Sequence, residues 1–201
     1  MKLKIFGLII VMLALSGCDS CSDVGTSGTM LQIVSLTGND QEGTEGSTTV
    51  FSDVITMGSI FNDNGVAEVI AVPVDVSLSG DDLTPYMDVL VDQIDVRFER
   101  TDGKNVEGVD VPYHFSQPLS MNVSFGETTK IPFVLIRHDA KLEAPLLALR
   151  EFPSSEIVLQ LVAIVTIHGK DLGGHRITPV TGYISVWCAN FADPEGEEPT
   201  T

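Results

Sequence analysis

The chain has 201 residues, 43% of them hydrophobic, with 11 Lys and Arg against 28 Asp and Glu and a formal net charge of −17. That length supplies one hydrophobic core and is small for two, and the negative surface is repelled by nucleic acid and by anionic lipid headgroups. Cations, basic proteins and neutral polymers stay open as partners, and the same charge also solubilises a domain that has none.

Met1-Lys2-Leu3-Lys4 is a short basic start, and residues 5–15 form an unbroken apolar run. The run is too short for a bilayer core, which takes roughly 20 residues. A basic end, a short apolar stretch and the small residues Ser16 and Gly17 together read as a secretory signal. Leu15-Ser16-Gly17-Cys18 resembles the lipobox of bacterial lipoproteins, over this segment alone. The resemblance implies a diacylglyceryl group on the Cys18 thiol, cleavage before Cys18 and acylation of the new amino terminus. The mature protein would then begin at Cys18, and its charge becomes −19 when Lys2 and Lys4 leave. Attachment would come from the covalent lipid, since no basic amphipathic helix is present to supply it. Such a protein belongs to the bacterial cell envelope. Asp19 looks like the signal that holds lipoproteins at the inner membrane in enteric-type bacteria, with the outer membrane, periplasmic or surface-exposed, as the other placement.

Residues 18–29 are polar and make a flexible leader behind the lipidated cysteine. Cys21 and Cys188 are then the one intrachain pair available in a compartment that permits disulfides. A bridge between them would close a long loop, nominally about 4–5 kcal/mol of stabilisation. No third ligand stands near either thiol for a metal.

A single domain is expected over residues 30–192. Met30 to Leu36 reads as a first strand, 37–48 as a surface loop and Val50 to Ile60 as β-prone. Residues 61–65 read as a turn. Val66 to Leu78 follows as a long strand burying Val72, Val74, Val76 and Leu78, with Pro73 marking an edge or a bulge. One helical turn is expected near Pro85. In Val89 to Arg100, Ile94, Val96 and Phe98 alternate with Asp95, Arg97 and Glu99, the pattern of a half-buried strand. Gly108 to His114 suggests an edge strand carrying Pro112. Leu119 to Phe125 and Thr129 to Arg137 alternate again, before a loop with a short helix over residues 140–153. Ile157 to Ile167 is apolar on both faces and belongs at or near a sheet centre. Arg176 to Asn190 ends the β structure, and residues 193–201 form an acidic, disordered tail.

Strand signals without crossover helices predict an all-β fold of two packed antiparallel sheets. An immunoglobulin-like or fibronectin-like β-sandwich is the leading architecture, with a jelly roll or small β-barrel as the alternative.

Little in this chain points to catalysis. His114, His138, His168 and His175 show no metal-protease spacing, and no Ser or Cys sits in a nucleophile-elbow context. His168 and His175 flank a glycine-bearing connection containing Asp171, where a metal site is the less favoured reading. His138-Asp139 is adjacent in sequence, and neighbours of that kind usually point apart. Residues 169–174 do not form a phosphate loop. Asp63, Asn64, Asp81 and Asp82 offer hard oxygen ligands for calcium, although short polar side chains serve turns equally well. Tyr183 and Trp187 share one phase of the last strand, opposite Ile184 and Val186. They are either an exposed ligand face or, with the strand inverted, a core anchor at Trp187, which is the preferred reading.

The expected function is therefore a non-catalytic, lipid-anchored structural or protein-interaction module working with other envelope or secreted proteins, without nucleic acid and without a cofactor. Two alternatives are a glycan- or calcium-binding lipoprotein and a subunit of a surface polymer, joined by edge-strand pairing near Pro73 or Pro112.

Overall fold

The computed structural model describes residues 27–38, 46–75, 85–152 and 156–192. Cys18, Cys21, Asp81, Asp82 and the 193–201 tail lie outside the described residues. Eight strands are described: β1 (Thr29–Gly38), β2 (Thr49–Asp53), β3 (Asp63–Pro73), β4 (Val89–Glu99), β5 (Phe115–Val123), β6 (Thr128–Ile136), β7 (Leu159–Asp171) and β8 (Val180–Ala189). One short helix, α1 (Leu146–Leu149), and two 3-10 turns, Pro85–Met87 and His138–Leu142, complete the regular structure among the described residues.

The fold is all-β, with two sheets sharing one core. One sheet has the order β1-β3-β6, the other β2-β8-β7-β4-β5. Val69, Ala71, Ile131 and Leu135 from the first meet the inward phase of the second, where Ile94, Val96, Val165, Ile184 and Val186 are buried. At 25 cal/mol per Å² or so of apolar area, each large aliphatic side chain in this layer contributes about 1.5–3 kcal/mol. Gly182 allows the sheets to approach, because a Cβ there would fall 2.5 Å from Leu36 Cδ1. β7 is the middle strand of five, as its two apolar faces predict.

Alternation places β4, β5 and β6 on their expected faces. Ile94, Val96 and Phe98 are buried, and so are Ile131, Phe133 and Leu135. A bulge between Val91 and Gln93 resets the phase of β4, which is how Val89 and Val91 also point inward. The expected short helix exists as α1, with Leu146 and Leu149 buried.

Other expectations are corrected. β3 is the middle strand of its sheet, not an edge, and begins at Asp63, so Asp63-Asn64-Gly65 is strand and not turn. Its inward residues are Gly65, Ala67, Val69 and Ala71, while Val74 is 58% exposed beyond the strand and Val76 and Leu78 lie outside the described residues. Pro73 is the final residue of β3, where a missing ladder donor costs little. Gly108 to His114 forms a tight loop closed by the Gly108 N–H on the Val111 carbonyl, 2.8 Å, so no edge strand carries Pro112. The prolines within edge strands are Pro118 in β5 and Pro132 in β6. Polymer growth at Pro73 or Pro112 therefore has no strand edge to use. Finally, β2 pairs with β8 in parallel, from Thr49 opposite Ser185 to Asp53 opposite Ala189, so the larger sheet is mixed.

The gap between the edges of β5 and β6 is closed by a side chain. Gln117 donates from Nε2 to the Val134 carbonyl (2.7 Å) and accepts the Val134 N–H at Oε1 (2.8 Å). The amide thus stands in for a ladder partner.

Candidate interaction face

The outward phase of the five-stranded sheet brings together Tyr183, Trp187, Asp95, Arg97 and His168. Ile184 and Val186 are buried, so Tyr183 and Trp187 point outward, against the preferred core reading of Trp187. Tyr183 is 67% exposed and Trp187 37%. The parallel pairing sets Phe51 opposite Trp187, and their rings meet edge to face at 5.5 Å. Phe51 in turn meets Phe191 edge to face at 5.7 Å, so three rings form a chain from Trp187 through Phe51 to Phe191.

Register then carries this strip across the sheet. Tyr183 lies opposite Ile164, and Ile164 opposite Arg97. Thr181, Thr166, Asp95 and Ser116 form the next row. A groove of about 380 Å³ runs here, lined by Asp95, Arg97, His114, Ser116, Ile164, Thr166 and His168. His168 Nε2 lies 2.8 Å from Asp95 Oδ2, and Gln93 donates to Asp95 Oδ1 at 2.7 Å. Partial burial pushes the Asp95 carboxyl up, but hydrogen bonds from Ser116, Gln93 and His168 outweigh it and hold the group below its ordinary value of 3.8. Arg97 reaches Glu99 at 3.0 Å, with both side chains largely exposed. The face therefore offers two rings, a guanidinium and a hydroxyl row on a backbone fixed by ladder bonds.

A larger concavity, about 820 Å³, covers the outer side of β1, β3 and β6. Its polar groups are already engaged with one another: Ser35 donates to Glu68 at 2.9 Å, and Lys130 sits 3.4 Å from the same carboxylate. No exposed ring lines it, so the aromatic face is the stronger candidate.

The remaining candidates disperse. His168 and His175 do not converge, since His175 pairs instead with Asp171, Nδ1 to Oδ2 3.2 Å. His138 and Asp139 do meet, at 2.9 Å, both exposed. Among the described residues, no group of three or more His, Cys, Asp or Glu is arranged to hold a metal ion. Asn64 is exposed, whereas Asp63 turns inward to Lys141, whose Nζ lies 3.0 Å from both Oδ1 and Oδ2. Its oxygens are committed there rather than presented to calcium. Cys188 is a buried thiol pushed up to about 12, by burial foremost and by the Asp63 charge.

Sequence reasoning missed Phe51, Lys141 and the grouping of Asp95 with His168. Alternation already put Asp95 and Arg97 on the outer phase of β4. The missing quantity was register, because Phe51 meets Trp187 only through a parallel pairing that no short-range signal announces. No family model matches the chain, and no curated protein is significantly similar to it.

Proposed function

We propose that the protein is a non-catalytic module of the bacterial envelope, fastened by lipid at Cys18, that binds another exported protein through the outer face of its five-stranded sheet. The observation that carries this reading is the exposed strip of Tyr183 and Trp187 beside the Asp95–Arg97–His168 groove. Aromatic rings and arginine are the side chains that most often dominate binding energy at protein interfaces. The mixed order β2-β8-β7-β4-β5 facing β1-β3-β6 supports an immunoglobulin-like or fibronectin-like sandwich over a jelly roll. That architecture is a rigid support for such a face.

The same rings also favour a second reading, a glycan stacked on Tyr183 and Trp187 with Thr166 and Arg97 at its hydroxyls. One set of experiments separates these. Palmitate labelling of wild type and Cys18→Ser should show the label only in wild type. Copurification from solubilised membranes should then retain a stoichiometric protein partner, lost in Tyr183→Ala/Trp187→Ala. Each truncated anchor should weaken binding by about 1–4 kcal/mol. Retention of the partner by the double variant, or capture by polysaccharide alone, would reject the protein-docking reading.

A further inference from the structure

Beneath the face just described, at the end of the sandwich where β2 stops and β3 begins, a lysine is enclosed. Lys141 is 1% exposed, in the 3-10 turn that follows β6. Its Nζ is 3.0 Å from Asp63 Oδ1, 3.0 Å from Asp63 Oδ2 and 2.7 Å from the carbonyl oxygen of Asp53. Equal distances to both carboxyl oxygens make a two-pronged ion pair and keep Nζ close to the carboxyl carbon, the atom it would attack. Ser52 donates its hydroxyl to Asp63 Oδ2 at 2.5 Å.

We propose that Lys141 and Asp63 condense into an intramolecular amide that covalently joins β3 to the connection after β6. The proton balance is internal. The Lys141 ammonium passes one proton to the Asp63 carboxylate, giving an amine and an acid. The Nζ lone pair then forms the bond to Cγ, the Cγ–Oδ1 bond breaks, and Oδ1 leaves with its proton and one from Nζ. One water is released, and no oxidant, reductant or co-reactant enters.

Three features favour this outcome over a persistent ion pair. The first is solvation: the wholly buried ammonium and the largely buried Asp63 carboxylate, 18% exposed, both lose hydration, whereas an amide carries no charge. Burial is the largest influence on the Asp63 carboxyl and raises it above its ordinary value of 3.8 despite the opposing Lys141 charge, so the acid form needed for attack is easier to reach than in a solvated carboxyl. The second is positioning, since both reactants are held by backbone fixed in the sheet and its adjoining turn. The third is the fit of the product. An amide has one N–H and one C=O, and the site already provides one acceptor, the Asp53 carbonyl, and one donor, the Ser52 hydroxyl. That hydroxyl also faces the oxygen on which negative charge develops during attack.

The test is made on the full chain purified from its membrane, with a cooperative melt confirming that it is folded. Cleavage after glutamate separates fragments 46–68 and 128–143, which carry Asp63 and Lys141. The expected result is a single branched species whose mass is that of the two fragments less one water, absent from Lys141→Arg and from Asp63→Ala. Reading fragments makes the result independent of processing at the amino terminus. Two separate fragments of full mass from folded wild type would overturn the proposal. A branched species that persists in Lys141→Arg would overturn it as well, by assigning the link to another pair.

Discussion

Asp171 ends β7 and is 7% exposed, yet it is ionised in a turn that supplies its own donors. The His175 N–H reaches Oδ1 at 2.9 Å, and the imidazole Nδ1 stands 3.2 Å from Oδ2. Burial raises this carboxyl, and the backbone hydrogen bond from His175, the Ser27 hydroxyl and the imidazole together bring it below 3.8. A carboxyl depressed in the folded state contributes stability above its unfolded value and loses it as pH falls through the folded one. Asp171→Asn should therefore be less stable than wild type at neutral pH by on the order of 1 kcal/mol, since the amide oxygen still accepts one bond. That difference should shrink below pH 3.8, and urea midpoints across a pH series will show it. The sequence made Asp171 visible only as part of a polar connection. Lys141 was hidden more thoroughly, because a lysine between Ala140 and Leu142 in an irregular segment reads as solvated.

Among the elements, the side of the sandwich where the edges of β5 and β6 face each other is closed by Gln117. It occupies the ladder positions of Val134 on β6, while Pro132 of the same strand has no donor to offer. Gln117→Ala should lower stability by about 1–3 kcal/mol for two hydrogen bonds. It should also open the edge, so that the sedimentation coefficient rises with concentration where wild type stays constant. Strand existence was legible in the sequence wherever large side chains alternate, as in β4 and β6. β3 was misread because its true inward phase is built from Gly65, Ala67, Val69 and Ala71, which give a weak apolar signal. The regular Val72, Val74, Val76 and Leu78 series outshouted it. The bulge at Val91 and the parallel partner of β2 were invisible for a different reason: both are properties of pairing, which depends on residues far along the chain.

The whole molecule carries a formal charge of −17 on a fold this small. Repulsion among like charges opposes compactness and is screened by salt. Raising ionic strength from about 0.01 to about 0.15 M shortens the Debye length from about 30 to about 8 Å. The melting temperature should rise over that interval with an inert salt such as sodium chloride, and a fall would mean that favourable exposed pairs such as Arg100–Asp102 dominate instead.

β1 and β2 follow one another in sequence yet belong to opposite sheets, β1 beside β3 and β2 beside β8. Neither layer can finish its roster of strands until the other has recruited its share of the same short stretch of chain. Half-assembled intermediates are thereby disfavoured, and the two layers are bound to appear and vanish as a single cooperative unit.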